Sequence, residues 1–229
     1  QVSSAASDVY KRQVLNSPMN LHKFHKISKN LESHQKLIAV SKGQSEEKIR
    51  LLYETGQRDF GENFLQELKG KKNALPEDIN WHFLGNIQSN KVKEIVECSD
   101  LIHSIGRIKI LNKILNLQSS KNIEILLQLK LGKEESKSGF SEDEIYEIMT
   151  NNKFENITVK GLMVIAEGSI ESEKLIEQFL HAKNIFMKIK TMNKDVEHLS
   201  MGMSNDYELA LSSGSNMIRI GTSIFGARS

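Results

Sequence analysis

Residues 37–53 read LIAVSKGQSEEKIRLLY and contain one complete unit of the fold. Leu37–Ser41 is an apolar run of strand length, a turn containing Gly43 follows, and Ile49, Leu52 and Tyr53 then recur three and four apart. That change of period, from a short β-rich run to one buried helical face, marks a strand–turn–helix unit. The unit repeats along the chain. Strands are expected at Leu37–Ser41, Asp59–Glu62, Trp81–Gly85, Leu101–Ser104, Ile123–Leu131, Val159–Ile165, Val196–Met201 and Met217–Ile220.

Apolar residues at helical spacing fall between them: Phe64, Leu65 and Leu68; Val92, Ile95 and Val96; Leu111, Ile114 and Leu115; Ile145, Ile148 and Met149; and Leu175, Phe179, Ala182, Phe186 and Ile189. Asn205–Ser213 reads as a further helix stopped by Gly214, and Ser141 to Glu144 has capping-box spacing. Parallel neighbours need crossovers, which are right-handed and usually helical. Eight such units in about 190 residues predict an α/β protein with a closed (β/α)8 TIM barrel, an open doubly wound sheet being the alternative. Asn20–His34 reads as an extra N-terminal helix with Leu21, Phe24, Ile27 and Leu31 on one face. With no linker or composition shift, residues 19–229 read as one domain. Residues 1–13, QVSSAASDVYKRQ, show neither periodicity nor a cap, and Met19 is a candidate natural start. Residues 1–18 are therefore read as a non-native or disordered tail.

Composition narrows the partners. Of 229 residues 38% are hydrophobic, enough for a sizeable core, and 31 basic against 29 acidic residues leave a net charge of +2. Nothing in that balance draws the chain to nucleic acid or an anionic membrane, so a small anionic ligand has to be held locally. The single cysteine, Cys98, reads as a small half-buried hydrophobe on a helix; it excludes an intrachain disulfide framework and fits a reducing compartment. No apolar run approaches the ~18 residues of a membrane helix. The expectation is a cytoplasmic protein.

In such a barrel the chemistry sits at the carboxyl ends of the strands, with phosphate commonly bound after strands seven and eight. Those ends read Lys42; Gly61-Glu62-Asn63; Gly85-Asn86; Ser104; the loop Lys133 to Gly139; Ala166-Glu167; Met201 to Ser204; and Gly221-Thr222. The turn Gly202 to Asp206 is expected to put Ser204 or Asn205 at a helix N-cap, where unpaired N–H groups attract an anion. Gly221-Thr222-Ser223 adds a glycine for close approach and two hydroxyls. Together they suggest a phosphate cup.

Arg219 shares a strand face with Met217 and Gly221, and points into the barrel if Ile218 and Ile220 face the helices. Its partner there is either an inner carboxylate such as Glu62 or an atom of a heteroaromatic ligand. Lys42, desolvated and near a cation, would have its pKa pushed below ~10.4, which exposes an amine able to form an imine. The carbonyl could be that of a sugar phosphate or of pyridoxal 5'-phosphate, and these residues alone do not choose. Lys91, Lys133 and Lys137 compete for the role but also read as solvated surface lysines. His82 and His103 read as satisfied core histidines, and LKGKK around Lys71 as a solvated helix end. His22 and His25 lack the neighbouring carboxylate or cysteine set that a metal site needs, so no metal is expected.

The motifs IAVSK, DFGENFLQE, WHFLGNIQSNK, EESKSGF, GLMVIA, MGMSND and MIRIGTSIFGAR occur in this order between about Asn20 and Ser229. In these the chain resembles the pyridoxal phosphate homeostasis protein family, relatives of the alanine racemase N-terminal barrel. The resemblance implies a (β/α)8 barrel binding pyridoxal 5'-phosphate in the fold-type III manner. Lys42 would form the Schiff base, Asn63 would lie beside the ring, and Met203, Ser204, Gly221 and Thr222 would bind the phosphate. Arg219 would face the pyridine nitrogen and keep it unprotonated, since two contacting positive groups repel.

The family's implied role is vitamin B6 homeostasis without robust catalysis, by a monomer that has pyridoxal-phosphate-dependent apoenzymes as possible recipients. A weak amino-acid racemase and, further off, a Schiff-base aldolase are the alternatives. Alanine racemase adds a second domain that supplies a tyrosine base, whereas this chain ends at Ser229 and places Tyr53, Tyr146 and Tyr207 on helical patterns. Two positions depart from the family pattern. Gly43-Gln44 follows Lys42 where Thr-Lys-Pro is common, which predicts a different entry to the first helix. Ala166 stands where proline is common, which predicts a looser loop after strand six.

Overall fold

The computed structural model describes residues 19–119, 121–132, 138–151, 154–167 and 170–226. The strands are β1 (Lys36–Val40), β2 (Asp59–Glu62), β3 (Asn80–Phe83), β4 (Leu101–Ile105), β5 (Ile123–Leu129), β6 (Ile157–Val164), β7 (His198–Ser200) and β8 (Met217–Ile220). Each pairs in parallel with the next, and β8 pairs with β1 to close the barrel. Closure rules out the open sheet. The helices are α1 (Leu21–Asn30), α2 (Glu46–Glu54), α3 (Leu65–Ala74), α4 (Val92–Cys98), α5 (Ile108–Leu115), α6 (Glu142–Asn151), α7 (Ser172–Met192), α8 (Tyr207–Ser212) and α9 (Thr222–Phe225).

Local chemistry sets the ends. The Asn20 side chain accepts from Lys23 N–H at 2.8 Å and caps α1. That helix stops at Asn30, short of the expected His34, because Leu31 turns extended. Both arms of the expected capping box form: Glu144 N–H donates to Ser141 Oγ (3.2 Å) and Ser141 N–H to Glu144 Oε2 (2.8 Å). β7 is shorter than expected at its start, where Val196 N–H closes a turn onto Asn193 O. α1 packs against α9, and Asn20 N–H donates to Ile224 O at 2.6 Å. Cys98 is half-buried at the end of α4. No helix among the described residues is long and apolar enough to cross a membrane.

Ile38, Leu101, Leu126, Met163 and Met217 form a small apolar cluster inside the barrel, separate from the larger core between strands and helices. A one-residue bulge in β6 makes this possible. Ile125 pairs with Val159 but Leu126 with Gly161, so Lys160 is the extra residue. Val159 and Leu162 therefore both face the helices although three apart, and Met163 turns inward. Gly161 sits at φ +149°, and a Cβ there would lie 1.8 Å from His198 O.

Gly161→Ala is expected to lower the unfolding free energy by about 3 kcal/mol or more, since neither the backbone angle nor the neighbouring carbonyl can yield. Gly70, inside α3 with nothing within 4 Å of its missing Cβ, is the opposite case. Gly70→Ala should stabilise by ~0.5–1 kcal/mol through helix propensity. Urea melts of both variants check this, and equal midpoints would contradict the bulge argument.

Candidate functional site

Barrel closure decides which rim residues meet. β1 and β8 run in register, with Ile38 opposite Arg219 and Ala39 opposite Ile220. Gly221 therefore packs on Val40, where a Cβ would come within 3.1 Å of the Val40 carbonyl oxygen. Lys42, two residues beyond Val40, is half-buried at the same edge. On the other side of β8, Ser200 of β7 pairs with Met217, and Arg219 N–H donates to Gly202 O at 3.0 Å. The turns after β7 and β8 and the Lys42 loop thus adjoin. Asn63 follows β2, whose Gly61 pairs with Val40. With Phe64, Phe83, Gly85 and Asn86 it lines a cleft of about 400 Å³.

The β7 turn differs from expectation in one respect. Asp206, not Ser204 or Asn205, is the residue that precedes α8. Residues 203–206 close a turn of their own: Asp206 N–H donates to Met203 O (3.1 Å), and Met203 N–H donates to Asp206 Oδ1 (2.5 Å). Ser204 and Asn205 lie inside that turn, which takes them out of the capping position. Met203 itself is exposed (40%), and Ser204 is half-buried. In the β8 turn, Gly221 precedes α9, and Thr222 and Ser223 open its first turn. First-turn N–H groups have no carbonyl within their own helix.

Arg219 points into the barrel as alternation requires. It is 6% exposed, with Nη1 donating to Ser200 Oγ and Nη2 to Val164 O, both at 2.8 Å. Both acceptors are neutral, and burial lowers its pKa to about 10. The ion pair with Glu62 does not form. Glu62 alternates with the inward Gly61 and Asn63, so it faces the helix layer on the far side of β2.

There it builds the support for Lys42. Glu62 Oε1 accepts from Ser41 Oγ (2.6 Å) and from Lys71 Nζ (2.8 Å), and Lys71 Nζ also reaches Ser41 O (2.8 Å) and Glu67 Oε2 (2.9 Å). Glu67 Oε2 in turn accepts from Gly43 N–H at 2.7 Å. The residues on both sides of Lys42 are thereby tied to one charge cluster. Burial pushes the Glu62 carboxyl above the ordinary carboxylate range, and the Lys71 ammonium opposes that rise. Gly43 has φ +66°, so the departure from the family pattern produces a left-handed turn into α2.

Lys71 corrects the reading of LKGKK as a solvated helix end, being only 6% exposed. Its position three residues after Leu68 and four after Glu67 places it on the apolar face of α3, a signal that was present in the spacing.

His82 and His103 are core histidines with both ring nitrogens engaged, as expected. His82 Nε2 lies 3.1 Å from Asp59 Oδ1, His82 Nδ1 2.9 Å from His103 Nε2, and His103 Nδ1 3.1 Å from Ser200 Oγ. Burial holds His103 well below the usual imidazole range, with His82 and Arg219 adding to the effect. Asp59 and Ser200 carried no local signal of this contact. Among the competing lysines, Lys91 pairs with Glu94 at the surface (3.5 Å), while Lys133 and Lys137 lie outside the described residues. The loop expected to be loose is tied where it is described: Ala166 is buried, Glu167 N–H donates to Gln178 Oε1 (3.3 Å), and Gln178 Nε2 donates to Glu167 Oε2 (2.9 Å).

Residues 20–229 match the model of the alanine racemase N-terminal domain family. The pyridoxal phosphate homeostasis protein of Vibrio alginolyticus is 38% identical over 200 residues, covering 84% of this chain and 86% of its own. That of Escherichia coli K12 is 35% identical over 199 residues, covering 84% and 85%. The structure of PipY from Synechococcus elongatus with PLP bound superposes with a TM-score of 0.80 at 31% identity, over 90% of this chain and 99% of PipY. Alanine racemase from E. faecalis shares the fold with a TM-score of 0.73 at 14% identity, over 90% of this chain and 57% of the racemase. By motif, topology and sequence, this chain belongs to the pyridoxal phosphate homeostasis protein family, built on the barrel of the alanine racemase N-terminal domain.

Proposed function

We propose that this barrel holds pyridoxal 5'-phosphate as a Schiff base on Lys42 and serves intracellular vitamin B6 homeostasis as a carrier or regulator. One observation carries the proposal: Lys42, the donor-rich turns after β7 and β8, and the inward Arg219 share one edge of the rim across the β1–β8 seam. That edge brings together an amine, a guanidinium and a set of hydroxyl and backbone donors, the groups that would meet an aldehyde, a ring nitrogen and a phosphate of one molecule. The ε-amine of Lys42 adds to the aldehyde carbon and water leaves, forming a C=N bond. Ser204 and Thr222 supply hydroxyls toward the phosphate, Gly221 permits close approach, Met203 borders the pocket and Asn63 lies beside the ring.

Arg219 carries five N–H donors, two of them committed to Ser200 and Val164. The others suit a ring nitrogen that acts as acceptor. A guanidinium there disfavours protonation of that nitrogen, and an unprotonated ring withdraws electrons less well. Holding the cofactor follows more readily from this than turnover.

The described tyrosines support the same reading. Their hydroxyls are committed to carboxylates: Tyr53 to Asp78, Tyr146 to Glu142 and Tyr207 to Glu208. Burial, with Glu208 beside it, pushes the Tyr207 phenol up to about 12, far from the range of a base at neutral pH. A weak racemase is the second reading, favoured only by the shared barrel. A cytoplasmic, single-domain monomer that hands the cofactor to pyridoxal-phosphate-dependent apoenzymes completes the proposal.

Mixing the protein with pyridoxal phosphate should give visible imine absorbance that Lys42→Ala abolishes; a colourless parent would sink the proposal. Chiral analysis of alanine, serine and glutamate after prolonged incubation with the loaded protein should show no enantiomer exchange above the Lys42→Ala control. Exchange well above that control would favour the racemase.

A further inference from the structure

Five side chains form an unbroken hydrogen-bonded line through the barrel, from Asp59, the first residue of β2, to Arg219 near the end of β8. Its middle link joins His103 of β4 to Ser200 of β7, strands that are not neighbours in the sheet, so the line crosses the interior. His103 and Ser200 are fully buried, while the Asp59 side chain is 22% exposed.

The donor inventory gives the line one direction. Arg219 has only donors, so Nη1 gives a hydrogen to Ser200 Oγ at 2.8 Å. Ser200 can then give its own hydrogen to His103 Nδ1, which leaves the His103 proton on Nε2 for His82 Nδ1. His82 accepts on Nδ1 and donates from Nε2 to the Asp59 carboxylate. The reverse direction needs a hydrogen on both nitrogens of His82, hence a buried cation. With neutral rings, only Arg219-to-Asp59 satisfies every member.

We propose that Asp59, His82, His103 and Ser200 are positioning residues that orient the Arg219 guanidinium toward the cofactor ring from the opposite end of the barrel. The proposal rests on the reading of Arg219 as the residue facing that ring. None of the four needs to touch the cofactor. Each is held by the next, and the chain ends on a carboxylate that Asn80 Nδ2 also contacts at 3.3 Å. Val164 O fixes the second arm of the guanidinium, so Ser200 is the adjustable contact.

Two measurements on the full chain test this. In the unloaded protein, ¹⁵N NMR of labelled histidine should find His82 and His103 both as neutral Nε2–H tautomers, and Asp59→Leu should scramble the tautomer of His103. In the loaded protein, Ser200→Ala and Asp59→Leu should each weaken pyridoxal phosphate binding by about tenfold, the scale of one hydrogen bond to a charged group. Both should also shift the visible band, which loss of packing alone would not. Asp59→Asn keeps an acceptor oxygen and should recover affinity to within about twofold of the parent.

Variants that fold yet bind as tightly as the parent with an unshifted band would overturn the proposal and leave the Lys42 reading intact. A His103 proton on Nδ1, or a tautomer indifferent to Asp59→Leu, would overturn it even if the parent bound no cofactor. That last result alone would fail the Lys42 reading.

Discussion

The parallel pairing of β1 with β8 is the constraint on which the site depends. Lys36 to Ala39 lie opposite Met217 to Ile220, so residues about 180 positions apart in the chain end at the same height on the rim. Without that seam Lys42 would be a lysine at a strand end and Gly221-Thr222 an ordinary turn. With it, an amine and a group of backbone and hydroxyl donors adjoin, and Gly221 is small enough to let the two loops touch at Val40.

Two polar systems hold the Lys42 loop and Arg219 from below, one on each face of the sheet. On the helix side Lys71, Glu62 and Glu67 tie Ser41 and Gly43, which leaves Lys42 little backbone freedom. Burying such a pair costs several kcal/mol per ion, and what it returns is geometry. On the barrel side Arg219 is balanced by the hydroxyl of Ser200 and the carbonyl of Val164. An arginine kept by neutral acceptors retains donors for a ligand, whereas one locked in an ion pair would not.

How far the sequence could be read follows from how local each signal is. Strand–helix alternation repeats within about 25 residues, so the eight-unit count and the closed barrel were legible from periodicity. Arg219 could be turned inward by alternation alone, and the same rule applied to Glu62 would have excluded it as a partner, since Gly61 and Asn63 share the inner face. Lys71 was hidden because a run of lysines resembles a solvated end, although its helical spacing points to the core. Asp206 replaced Ser204 and Asn205 before α8 because the preceding turn closes on itself. The bulge at Lys160 and the His103–Ser200 contact had no local signal, as both depend on strands that meet only after the barrel closes.

Under the proposed function, Lys42 carries the cofactor. Borohydride reduction of the protein incubated with pyridoxal phosphate, followed by peptide mass mapping, tests it most directly. One reduced pyridoxyl adduct is expected, on the peptide containing Lys42. An adduct on Lys91 or another lysine with Lys42 unmodified, or no adduct at all, would contradict it.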